Sequence, residues 1–131
     1  MIKVGFYSPK GKEKEYECKE LRVVDKKYGS FGILENHVPV VSVIIDGYIH
    51  IKLEDTDEFV SLLDAAIEFK DNNASIIAEE LEYGKSEEEA ISNLENKIKK
   101  RRDENRERNV ELALAENELK KQIKKIGANK I

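Results

Sequence analysis

Up to about Tyr83 the apolar residues of this chain recur at every second position, and after Gly84 they recur at steps of three and four. Strand side chains alternate between two faces, whereas helical ones return to the same face about every 3.6 residues, so one kind of element cannot serve both halves. The chain must therefore change structure once, near Gly84. In the first half Ile49, Ile51 and Leu53 alternate with His50, Lys52 and Glu54, and Ile67 and Phe69 alternate with Glu68 and Lys70. That suits strands with one buried face. Turn signals separate the runs at Pro9-Lys10-Gly11, Tyr28-Gly29, Asp46-Gly47, Asp55-Thr56-Asp57 and Asp71-Asn72-Asn73. Asp46-Gly47 is the sharpest, because a two-residue hairpin needs positive φ at both positions and this pair tolerates it. Several short strands so spaced predict a sandwich or barrel.

Beyond Gly84, Ser86 followed by Glu89 reads as a capping box that opens a helix. Ala90, Ile91, Leu94 and Ile98 form one apolar stripe, and Leu112, Ala115, Leu119, Ile123 and Ile126 form a second, with Gly127 as a stop. Between them KKRRDENRERN, residues 99–109, carries no apolar side chain. Such a run is either a solvated turn between two helices or an exposed stretch of one long helix. The expectation carried forward is an α+β chain, with an N-terminal antiparallel β sandwich over residues 1–84 and a C-terminal α-helical hairpin over 85–131. Pairing of two narrow amphipathic helices would leave that hairpin only marginally stable, because backbone ordering consumes most of the gain from burial.

Charge narrows the possible partners. The net charge is -4, but residues 1–84 hold 10 Lys+Arg against 17 Asp+Glu, while residues 85–131 hold 13 against 10. The helical part is thus the one suited to an acidic surface, and it is too mixed in sign to argue for nucleic acid. No apolar run approaches the roughly 20 residues of a spanning helix, and MIKVGFYSPK lacks the apolar stretch of a signal peptide. The expectation is a protein that stays where it is made and meets a membrane only through partners. The single cysteine, Cys18, and two separated histidines give no metal-ligand spacing, so neither a metal nor a cofactor is expected.

One segment carries a specific resemblance. Tyr28-Gly29-Ser30-Phe31-Gly32-Ile33-Leu34-Glu35-Asn36-His37-Val38-Pro39 resembles the turn G-x-x-G-I-L-x-x-H-x-P of epsilon subunits of F-type ATP synthases, with Gly29, Gly32, Ile33, Leu34, His37 and Pro39 in place. Glu58-Phe59, Ala66-Ile67-Glu68-Phe69, Ala74-Ser75-Ile76-Ile77-Ala78 and Leu112-Ala113-Leu114-Ala115 extend the similarity along the chain. The resemblance implies a non-catalytic rotor subunit at the cytoplasmic face of a bacterial membrane, or its organelle-encoded equivalent. Its partners would be the gamma subunit and the membrane c-ring and, conditionally, the alpha and beta subunits. It would couple gamma to the ring during proton- or sodium-driven ATP synthesis, and its C-terminal helices would brake hydrolysis.

By position, the resemblance assigns the c-ring contact to Gly29, Ser30, Phe31, Gly32 and His37, with Ser30 and Phe31 at a turn tip. Family members often carry an acidic residue where this chain has Ser30. Phe31 is either an exposed anchor or an ordinary core aromatic. The inhibitory helix would present Arg106, Arg108, Lys120, Lys121, Lys124 and Lys125, which also suit a solvated face whose cations offset the helix dipole. Some relatives bind ATP through [I/L]-D-x-x-R-A, but here Lys85-Ser86-Glu87-Glu88-Glu89-Ala90 keeps only the alanine. Glu89 in place of arginine would repel a triphosphate, so no nucleotide binding is expected. The rival readings are a free-standing adaptor built on the helices, and a small hydrolase using His37 with Cys18 or Asp25.

Overall fold

A computed structural model of the chain describes the backbone of residues 1–129 and the side chains of residues 1–124. Contacts divide the chain into two units, residues 1–95 and 96–131.

The first unit holds β1 (Ile2–Ser8), β2 (Gly11–Cys18), β3 (Glu20–Asp25), β4 (Gly29–Leu34), β5 (Val40–Lys52), β6 (Asp57–Lys70), β7 (Asn73–Gly84) and the opening turns of α1 (Glu87–Asn129). Hydrogen bonding orders the strands β2-β1-β7-β6-β5-β3-β4. The long strands β5, β6 and β7 serve both layers. On one side β7 pairs with β1 through Asn73–Ile77 and β1 with β2; on the other β5 pairs with β3 through Gly47–Lys52 and β3 with β4.

The passage between layers is made at one row. Nearest the bend the buried apolar positions are, in β5, Ile44 and then Gly47, Ile49 and Ile51; in β6, Val60 and Leu62 and then Ala65, Ile67 and Phe69; in β7, Ala74, Ile76 and Ala78 and then Leu81. Each strand thus changes the parity of its inward face. The ladders are interrupted at the same place, between Ile44↔Ala65 and Asp46↔Leu63 and between Leu63↔Glu80 and Ala65↔Ala78. Asp64, in the middle strand of that row, has φ 50°. A left-handed residue turns a strand locally, and Asp adopts it more readily than branched residues. The family resemblance puts Gly-Gly where this chain has Ala65-Ala66, and here the left-handed residue is their neighbour Asp64.

Two inner faces built this way enclose one core of Ile2, Val4, Phe6, Leu21, Val23, Ile33, Ile49, Ile51, Leu62, Ile67, Phe69 and Ile76, among others. The layers are tied at one end by Asn36 and Asn72, which exchange bonds of 2.6 and 3.1 Å, and by the terminal ammonium of Met1 on Glu35 at 2.7 Å. The α+β class and the N-terminal sandwich stand. One pairing is not antiparallel: β1 runs parallel to β7.

Asp46-Gly47 is not a hairpin turn. Both residues lie inside β5, and a Cβ on Gly47 would sit 1.9 Å from the carbonyl oxygen of Val24. The glycine is there because the backbone of β3 crosses directly over it, a requirement that looks the same in sequence as a turn signal. The other turn signals fall between strands as expected.

The C-terminal part is one helix, not a hairpin. Residues 99–109 continue α1 without a break, and so does Gly127. Lys, Arg and Glu are good helix formers, and opposite charges recur at helical spacing, as in Asp103/Arg106 and Glu104/Arg108. With no glycine or proline in the run, nothing there ends the helix. In the second unit Val110, Leu112, Leu114, Leu119 and Ile123 are all exposed. The side chain of Ile126, assigned to the same stripe, lies outside the described residues.

Candidate functional site

The outer face of the β1-side layer carries apolar side chains that no core uses. Val43, Ala66 and Ile77 stand on one row across β5, β6 and β7, and Tyr7 of β1 continues it. Val41 and Ile45 flank that row; Val41 is 79% and Ile77 61% exposed. Around it stand Glu68, which pairs with Val41, Lys12, which pairs with Tyr7 and bridges to Glu15, and Asp64 and Glu79. Apolar residues grouped at the centre of a charged rim have the form of a docking surface. Sequence reading missed it. The available signal was Val40-Val41-Ser42-Val43-Ile44-Ile45, which is apolar at both parities and so cannot be a strand with one wet face.

The segment singled out by sequence is not a turn tip. Gly29, Ser30, Phe31 and Gly32 lie in β4, an edge strand paired on one side with Asp25–Arg22 of β3. The turn precedes them at Lys26–Tyr28. Gly29 has φ 97° with open space where a Cβ would be, so the chain needs a glycine as it leaves that turn. Ser30 is exposed, and Phe31 is half-buried with its ring packed against the core. His37 lies beyond the other end of β4, in the link to β5. Its Nδ1 is 2.7 Å from the carbonyl oxygen of Val38, and its ring stands edge-on to Phe69 at 6.0 Å. The five residues are thus strung along one edge rather than gathered at a point.

Asp25 fixes that edge. One carboxylate oxygen accepts from the backbone N–H groups of Lys27 and Tyr28 at 2.8 and 3.0 Å, and the other accepts from Ile45 at 3.0 Å. The side chain joins the β3–β4 turn to the bend of β5. Backbone donation, first from Lys27, holds the carboxyl below its ordinary range. Lys26 reaches Asp46 at 3.5 Å across the same junction.

The start of α1 is seated on the strands. Glu89 donates its N–H to the Ser86 hydroxyl at 3.1 Å, and the Glu89 carboxylate accepts from the N–H of Lys85 at 3.3 Å. The box closes one residue earlier than the usual form. Lys85 pairs with Glu58, Asn93 donates to the carbonyl of Tyr83 at 2.8 Å, and Ala90 and Leu94 are buried. Gly84 lets this approach happen, since a Cβ there would stand 2.4 Å from the nitrogen of Ala90. The residues aligned with an ATP motif, Lys85, Ser86, Glu89 and Ala90, are therefore all occupied in holding the helix. Arg106, Arg108, Lys120, Lys121 and Lys124 are exposed on α1, while the Lys125 side chain lies outside the described residues.

The groups required by a hydrolase are committed elsewhere. Cys18 is fully buried, and desolvation pushes its thiol up to about 11, so it stays protonated at neutral pH. The oxygens of Asp25 are filled by backbone donors, and His37 bonds locally. Among the described residues no three His, Cys, Asp or Glu side chains stand together as metal ligands, and no helix is long and apolar enough to cross a membrane.

Residues 1–84 match the family described as ATP synthase, Delta/Epsilon chain, beta-sandwich domain. An ATP synthase epsilon chain from Pediococcus pentosaceus is 28% identical over 82 residues, covering 63% of this chain and 59% of the relative. One from Staphylococcus epidermidis is 27% identical over 81 residues, covering 62% and 60%. The aligned part thus spans about three fifths of these relatives' length. Among solved structures, a chain from the central stalk and c-ring of the Tetrahymena thermophila mitochondrial ATP synthase shares the fold. Its TM-score is 0.50 at 13% identity, over 61% of this chain and 64% of that one.

Proposed function

The chain belongs to the ATP synthase Delta/Epsilon chain family through its β-sandwich domain, and from that premise we propose that it is a non-catalytic subunit of the central stalk, acting as an epsilon chain. It would join the gamma subunit to the membrane c-ring during proton- or sodium-driven ATP synthesis. The observation that carries this reading is the apolar row of Val43, Ala66 and Ile77 on a head of this family. A free monomer gains nothing from such a row in water, whereas a subunit held permanently against another buries it. The row is the proposed seat of gamma. The β4 edge from Gly29 to Gly32, with His37 beyond it, is the proposed contact with the ring.

Torque transmission needs stiffness and interface area rather than reactive groups. Stiffness is supplied by three strands of 12 to 14 residues that run through both layers, and by the Asp25 and Asn36–Asn72 ties. Affinity purification of the tagged chain from native membranes tests the reading: gamma and the c-ring should accompany it. A chain recovered as a monomer without ATPase subunits defeats the proposal and leaves the adaptor reading.

The hydrolysis brake is part of the same proposal. An exposed helix bearing Leu112, Leu119 and Ile123 beside Arg106, Arg108, Lys120, Lys121, Lys124 and Lys125 combines apolar burial with positive charge, which suits an acidic site on the alpha and beta subunits. Single exposed ion pairs contribute only about 0 to 1 kcal/mol, so the apolar stripe must supply most of the hold. Deleting residues beyond Arg102 should raise ATP hydrolysis by the reconstituted complex several-fold. Unchanged hydrolysis removes the brake and leaves the stalk role standing.

A further inference from the structure

Two strands, β2 and β4, end the strand order, and of these two only β2 is guarded. β2 reads Gly-Lys-Glu-Lys-Glu-Tyr-Glu-Cys, with Lys12 and Glu15 paired at 2.7 Å. Alternating charges on an edge oppose the addition of another strand, because pairing would strip them of water. β4, at the other edge, reads Gly-Ser-Phe-Gly-Ile-Leu and carries no charged side chain. Its glycines add no bulk to either face of the strand, where a Cβ on Gly29 would meet nothing within 4 Å and one on Gly32 only Glu20 and Leu21 of β3, at 3.6 and 3.9 Å. Alternate residues of an edge strand point N–H and C=O groups away from their one neighbour.

We propose that β4 is a strand-addition edge, on which an extended segment of a partner polypeptide in the assembled complex pairs main chain to main chain. This rests on the stalk reading and states how the contact at Gly29–Gly32 is made. Ser30 offers no charge, so an ionic contact at that position is not available. Two further features describe the partner segment. A cavity of about 120 Å³ opens beside the edge, lined by Val23, Phe31 and Ile44 together with the polar Asp25, Ser30 and Ser42, and it accepts one small side chain that can both pack and hydrogen-bond. At the turn end of β4, Lys27 lies over the ring of the 69%-exposed Tyr28 at 5.4 Å. The fitting segment is thus extended and otherwise uncharged, with a small hydroxyl-bearing residue such as Ser or Thr opposite Phe31 and an acidic one toward Lys27. Backbone bonds supply the affinity and alternate side chains the selectivity, as in other strand additions.

Amide hydrogen exchange compares the full-length chain alone with the chain inside the purified ATP synthase complex. In the free protein, the amides of Gly29–Leu34 that face β3 should be slow and the alternate ones fast. In the complex the fast set should slow by about tenfold or more, with β2 unchanged. A second measurement separates main-chain from side-chain contact. Ser30→Lys, a guard of the kind β2 carries, should release the chain from washed complexes, while Ser30→Ala should be retained. Unprotected β4 amides in an intact complex, or release by Ser30→Ala, overturn the proposal while the stalk reading survives. A chain that never enters the complex overturns both.

Discussion

Replacing Gly47 with alanine separates two accounts of the same dipeptide by the sign of the effect. Gly47 has no positive φ, so if its role were local, alanine would stabilise the protein by roughly 0.4–1 kcal/mol through a less flexible unfolded chain. The structure requires the opposite. The new Cβ would stand 1.9 Å from the Val24 carbonyl oxygen, 2.9 Å from its carbon and 3.0 Å from the Asp25 Cα. The shortest of these is about 1.5 Å inside ordinary contact, and all three atoms are backbone, so no rotamer change can relieve it. β3 must move off β5, taking with it the Asp25 bonds to Lys27, Tyr28 and Ile45. Overpacking of this kind costs about 3 kcal/mol or more. In a head of this size that lowers Tm by roughly 12–24 °C. Thermal melts of the full chain followed by circular dichroism measure it, with Gly32→Ala as a control whose Cβ meets its neighbours at ordinary distance and whose effect should stay within about 0.5 kcal/mol. A Gly47→Ala protein that melts at or above the wild-type temperature refutes the packing of β3 on β5.

Two other outcomes follow from burial. Leu94 is 3% exposed where α1 meets the strands, so Leu94→Ala should cost about 2–5 kcal/mol and speed amide exchange in residues 87–95 before the rest of the head, and exchange that stays wild-type there would show that the contact holds nothing. At alkaline pH, Cys18 binds its proton more tightly folded, at about 11, than unfolded, near its ordinary 9, and desolvation likewise raises Tyr16 to about 12 and Tyr83 further. The unfolded chain releases these protons first, so the contribution is whole below pH 9 and is lost as pH rises toward 11 and beyond. Urea titrations at stepped pH should show stability falling across that window, and a flat profile would mean that the groups are wetter than the structure has them.

The alternation of Ile49, Ile51, Ile67 and Phe69, the turns at Tyr28-Gly29 and Asp71-Asn72-Asn73, and the Ser86–Glu89 cap were legible because each is a local effect. A strand's wet face, a positive φ or a free amide at a helix start leaves its mark within a few residues. The same holds for the stretch from Gly29 to Pro39, whose residue types carried the family resemblance. Arg106, Arg108 and the lysines of α1 could be placed on a helix from spacing, because the charged run holds no glycine or proline.

What the tertiary structure decided is wherever two distant segments compete for the same atoms. Gly47 reads as a turn until β3 is laid across it. Residues 99–109 were compatible with a turn or a helix, and no local breaker chose between them. Ser30 and Phe31 are a strand because β3 supplies their bonds, not because of anything in Gly-Ser-Phe-Gly. The parity change at Ile45, Asp64 and Glu79 belongs to no single strand and appears only when three are aligned, and from it comes the outer row of Val43, Ala66 and Ile77. Sequence determined which residues avoid water; the layers determined which of them were left facing it, because inward and outward are properties of the whole sheet.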